Sequence, residues 1–71
     1  MKKMFNEFKE NKLKLFKDSE VYIENYKNIN KIENNEIVID MYTIYGDFLK
    51  ITRIDDVLIA IEGKVSEIKI H

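Results

Sequence analysis

Apolar residues fall along this chain in two different rhythms. Met1, Met4, Phe5 and Phe8 recur at spacings of three, one and three, which puts them on one face of a helix and predicts a short amphipathic helix over residues 2 to 11. A helix this short is marginal in water, so it needs a surface to lie on; a lid on the core is the expected use and a membrane anchor the alternative. From Lys12 onward the pattern changes to short segments rich in Ile, Val and Tyr, broken every eight to twelve residues by turn-forming side chains. That is the rhythm of an all-β domain.

The segment Lys12 to Phe16 alternates, and Lys17, Asp18 and Ser19 turn the chain into "EVYIEN". "NINKI" follows, and Asn34-Asn35 suits a tight hairpin because asparagine accepts positive φ. The next strand is expected to run through "EIVIDMYTI", with Ile37, Ile39 and Met41 on one face and Val38, Tyr42 and Ile44 on the other. Gly46-Asp47 is read as its turn into "FLKIT", and Asp55-Asp56 as the turn into "VLIAI". Gly63 is read as a tight reversal into a last strand, "KVSEIKI". "VLIAI" is apolar on both faces and belongs in the middle of the sheet; the half-polar last segment fits a peripheral place.

Six or seven short strands in about 60 residues predict a mostly β fold, a small rolled antiparallel sheet, barrel or sandwich, carrying the short N-terminal helix. The division is a basic amphipathic arm over residues 1 to 11 and one β domain over residues 12 to 71. Ile-Glu-Asn occurs at 23 to 25 and 32 to 34 and Ile-Glu-Gly at 61 to 63, but these spacings do not share a period, which argues against a β-solenoid.

A chain of 71 residues makes a small core, and with no cysteine it has neither disulfide staples nor cysteine-ligated metal. Size without staples favours association with a partner or a second copy. Charge is nearly balanced overall, at −1, yet unevenly placed: residues 1 to 17 sum to +4 and the remainder to −5. The lysines of the arm are either a solvated face or a means of reaching an anionic surface. No apolar run approaches the roughly 18 residues of a membrane span, and no apolar stretch follows the first lysines as in a signal peptide, so a cytosolic protein is expected.

Candidate chemistry is sparse. His71 is the only histidine and the last residue, where fraying is the expectation, so Ser19 and Ser66 have no base. Asp55-Asp56 reads as a turn rather than a catalytic or Mg²⁺ pair, and Glu24, Glu33 and Glu62 read as rim charges at strand ends. Gly46 and Gly63 lie too far apart in sequence for a phosphate cradle. Tyr22, Tyr26, Tyr42, Tyr45 and Phe48 could stack on bases, but the segment carrying them is acidic, which disfavours nucleic acid there. No catalytic, cofactor or metal site is therefore expected.

The segments "VYIENYKNINKI" (21 to 32), "IVIDMYTIYGDFLKI" (37 to 51) and "VLIAIEGKVSEIKI" (57 to 70) together resemble the YabP/YqfC family of sporulation-associated proteins. Ile23, Glu24, Asn25, Gly46, Leu49, Ile51, Ile61 and Gly63 carry the resemblance, which covers about 50 of the 71 residues. It implies a cytosolic protein of the sporulating mother cell with no established catalytic activity and with a protein partner at or near a membrane.

The leading expectation is thus a non-enzymatic interaction module without cofactors. It would dock through Lys2, Lys3, Met4, Phe5, Phe8 and Lys9 of the arm or by strand addition to an open sheet edge. The alternative is a small nucleic-acid-binding β-barrel using the basic arm, and the third an accessory subunit of an enzyme. A homo-oligomer is compatible with each.

Overall fold

The computed structural model describes residues 11–16 and 19–71. The helix expected over residues 2 to 11, and with it the arm residues Lys2, Lys3, Met4, Phe5, Phe8 and Lys9, lies outside the described residues except for Asn11, which is not helical. Six strands follow: β1 (Lys12–Phe16), β2 (Glu20–Glu24), β3 (Ile29–Ile32), β4 (Glu36–Ile39), β5 (Tyr42–Ile54) and β6 (Leu58–Ile70). They form one antiparallel sheet in the order β1-β2-β6-β5-β4-β3. The fold is mostly β, and the sheet is open, with β1 and β3 at its edges.

The long hairpin β5–β6 organises everything else. β2 pairs with its turn end, setting Val21 opposite Ile61 and Ile23 opposite Ile59. β4 pairs with its open end, setting Ile37 opposite Ile44 and Ile39 opposite Tyr42. Straight, β5 would hold Tyr42 and Ile54 about 40 Å apart. Both ends instead converge on Asn11: its carbonyl accepts from the Tyr42 hydroxyl at 3.0 Å, and its Nδ2 donates to the carbonyl of Glu24, the residue paired with Leu58. The hairpin is therefore bent back on itself. Val21, Ile23, Ile59 and Ile61 from one half and Ile37, Ile39, Tyr42 and Ile44 from the other join Leu49 in a single buried cluster.

The bend corrects two expectations. Gly46 and Asp47 do not turn the chain; they lie inside β5, where the register with β6 shifts between Tyr45 and Gly46 and again between Asp47 and Lys50. Gly63 is likewise no reversal but an interior residue of β6. Both glycines are explained by close backbone approach. A Cβ on Gly46 would collide with the Lys64 carbonyl, and one on Gly63, at φ +146°, would stand 2.7 Å from the Phe48 carbonyl oxygen. Glycine serves a bulge here rather than a turn, and bulges bend the strand that carries them.

A third correction concerns "EIVIDMYTI". The expected single strand is cut by a tight turn at Asp40-Met41, which leaves Met41 exposed and brings Ile37 and Ile39 to the same face as Tyr42 and Ile44. Asp40 adopts φ +52°, and its carboxylate accepts the main-chain N–H groups of Lys27 and Asn28 and the Asn11 amide. Turns do form at Asn34-Asn35 and at Asp55-Asp56. The positive φ expected at the asparagine pair falls elsewhere, at Asn25 (58°), Asp40 and Phe48 (56°). At 55 to 57 the Asp55 carboxylate accepts from Val57 N at 3.0 Å and Leu58 N at 2.9 Å, closing the turn locally.

Candidate interaction surface

The residues singled out by family resemblance are chiefly those that shape the sheet. Ile23, Ile61 and Leu49 are buried and Ile51 packs against them. Glu24 pairs with Lys14 at 3.2 Å across β1 and β2, and Asn25 supplies the left-handed residue that ends β2, its N–H donating to the Val57 carbonyl at 2.5 Å. Gly46 and Gly63 permit the bend. These positions hold the fold and do not converge on a cleft. Among the described residues no three His, Cys, Asp or Glu side chains are grouped as a metal would need, and no helix is long and apolar enough to cross a membrane.

Several polar groups serve as struts. The β3–β4 turn is tied to the bulge of β5, because the Asn34 carbonyl accepts from Leu49 N at 2.8 Å and the Asn35 carbonyl from Gly46 N at 3.2 Å. The Tyr26 hydroxyl donates to the Asp55 carbonyl at 2.6 Å. His71, expected to fray, is held twice: its N–H donates to the Met41 carbonyl at 2.8 Å and its Nε2 lies 2.6 Å from the buried Thr43 hydroxyl. The Val57 N–H and the other donors of its turn hold the Asp55 carboxyl below the usual aspartate value, with Arg53 adding to the effect. Its hydrogen bond to Glu36, with Glu33 nearby, raises Lys31 above the usual lysine value.

What the sheet offers to a partner lies at its edges. β3 is an outer strand whose four residues are all exposed. A bulge between Ile29 and Lys31 sets both Ile29 and Ile32 opposite the buried Ile39 and Ile37, so both isoleucines share the core-facing side. They nevertheless remain 38% and 52% exposed. β1 repeats the arrangement on the other edge: Leu13 and Leu15 oppose the buried Ile23 and Val21, and Leu15 stays exposed. Each edge thus carries apolar surface past the cover of the opposite half.

Of the aromatic residues, Tyr42 is buried and spends its hydroxyl on Asn11, while Tyr45 lies beneath the Lys69 ammonium, 5.8 Å from the ring centre. Among the described aromatic side chains Phe48 alone projects fully, 83% exposed on the bulge of β5. Sequence reasoning missed the roles of Asn11 and Asp40; the visible signal was an aspartate interrupting the apolar run "IVIDMY". It also missed the exposed flank of β3, because a bulge that realigns two isoleucines leaves no mark in the alternation. Comparison of the chain with protein-family models, with curated proteins and with solved structures finds no match.

Proposed function

We propose that this chain is a non-enzymatic interaction module acting in endospore formation, a mother-cell β module that binds a protein partner at or near a membrane. The observation that supports it is the open edge β3, where Ile29 and Ile32 continue the core face into solvent on a strand that has a neighbour on one side only among the described residues. An extended segment of a partner can add to such an edge, with main-chain bonds giving affinity and the isoleucines giving selectivity. In this reading the sheet is a rolled one, and residues 1–11 are the basic amphipathic arm that brings the module to the membrane-proximal partner. The sporulation context comes from the resemblance to the YabP/YqfC family.

A fluorescent fusion of the full chain in an endospore-forming host tests this. The expected result is expression confined to the mother cell and concentration at a membrane, lost when Ile32 is replaced by lysine or residues 1–10 are removed. Because Ile32 is half exposed, Ile32→Lys should leave the melting temperature nearly unchanged. Diffuse signal from the unaltered chain, or expression in vegetative cells alone, would overturn the proposal.

A further inference from the structure

Among the described residues, the half of β6 beyond Gly63 has a neighbour on one side only. β2 pairs with β6 from Leu58 to Glu62 and stops, while β5 continues along the other side to Ile70. The stretch from Ser66 to Ile70 is therefore a free edge among the described residues; Glu67 to Ile70 pair with β5 in unbroken register, and Ser66 is the extra residue at the shift between Tyr45 and Gly46. Ile70 is 68% exposed on it, and Ile68 packs only partly against the core.

An observed hydrogen bond fixes which groups of this edge point outward. His71 N–H donates to the Met41 carbonyl, so residues 71, 69 and 67 direct their main-chain groups toward β5. Ile68 and Ile70 alternate with them and direct theirs away from the sheet. We infer that this edge joins a second copy of the chain, β6 against β6 in antiparallel pairing about a two-fold axis at Ile68.

Charge and shape select that register. With Ile68 opposite its own copy, Glu67 of each chain faces Lys69 of the other, and Ile70 lies diagonal to the second Ile68. A two-fold axis perpendicular to the sheet admits only registers centred on one residue. Centring on Glu67 sets glutamate against glutamate, and centring on Lys69 sets lysine against lysine. Centring on Ser66 sets Glu67 against Val65 and Lys64 against Ile68. The Ile68 register alone matches opposite charges on one face and isoleucines on the other. It also sets the outward groups of Ile68 against those of its own copy, for about two main-chain bonds at the axis.

Glu67 has no ion-pair partner within the chain among the described residues. The other edges are less suited. β3 is only four residues long and its register shifts between Ile29 and Lys31, so it offers no unshifted run as long as Glu67 to Ile70 for symmetric pairing with its own copy. On β1, registers centred on Leu13 or Lys14 oppose lysine to lysine. The paired edges would make one continuous eight-stranded layer, β3-β4-β5-β6 and its two-fold image, and leave β3 at both ends for partners.

Sedimentation equilibrium of the full chain over a wide concentration range tests the inference, with circular dichroism to confirm folding. The native chain should show a monomer–dimer equilibrium. Glu67→Lys places like charges opposite each other at two sites and should weaken the dimer by roughly tenfold or more. The double exchange Glu67→Lys with Lys69→Glu restores opposite charges and should restore the dimer. A native chain that is monomeric at every concentration overturns the inference. So does a dimer whose strength is unaffected by Glu67→Lys.

Discussion

At the scale of single residues, glycine and aspartate have the most to say. Gly63 is enclosed by the Phe48 carbonyl at 2.7 Å and the Leu49 Cα at 2.9 Å, so a side chain there must displace backbone rather than rotate away. Gly63→Val is expected to cost about 2–4 kcal/mol and to lower the melting temperature by on the order of 10–20 °C, read by thermal denaturation. A melting point equal to the native one would show that the bulge yields. Asp55 gives a pH signature. Turn N–H groups lower its pKa in the folded state, so the stability it contributes is complete above its unfolded value near 3.8 and is lost as pH falls through the lower folded value. Asp55→Asn should therefore flatten the acid limb of a melting-temperature profile taken between about pH 5 and pH 2, leaving the neutral and alkaline limbs parallel to the native curve. Such residue chemistry was half legible in the sequence. Asp55 announces a turn by its type, whereas the glycines announce only that a side chain is unwelcome. Whether turn or bulge excludes the side chain depends on the strand passing alongside.

At the scale of elements, the alternation of Ile and Val with polar residues located β1, β2, β3 and both turn pairs, at Asn34-Asn35 and Asp55-Asp56. It failed where β4 meets β5. Asp40 sits at a position that alternation assigns to a strand face, yet three donors, from Lys27, Asn28 and Asn11, gather on its carboxylate. Long-range partners from two other segments make that turn, so no local pattern could have shown it. Asn11 is the other half of this corner. Deleting residues 1–10 is expected to leave the melting temperature within a few degrees of native. Extending the deletion through Asn11 removes the hydrogen bonds to Glu24, Asp40 and Tyr42 and should lower it by roughly a further 5–10 °C. Equal melting points for the two truncations would assign the corner no weight. Charge pairs along the strands, Lys14 with Glu24 and Lys31 with Glu36, lie at the surface, where such pairs contribute at most about 1 kcal/mol. They tune register rather than hold the sheet.

At the scale of the whole molecule, one bend decides the shape. A hairpin of two 13-residue strands left straight would expose both apolar faces of its two halves; folded back, it brings isoleucines from β2, β4, β5 and β6 into a common core. The halves are offset, because β2 and β1 extend from the β6 side of one while β4 and β3 extend from the β5 side of the other. Overhanging apolar edges follow, and they are where a partner or a second copy gains most by docking. Composition, periodicity and turn residues by themselves determined a small, cysteine-free, mostly β fold with β1, β2 and β3 close to those found, since side-chain alternation and local hydrogen bonding are properties of neighbouring residues. Only the tertiary structure decided that Gly46 and Gly63 bend two long strands, that Asp40 closes a corner with Asn11, and which isoleucines stay exposed. Each of those outcomes depends on a segment distant in the chain, whose arrival no local pattern records.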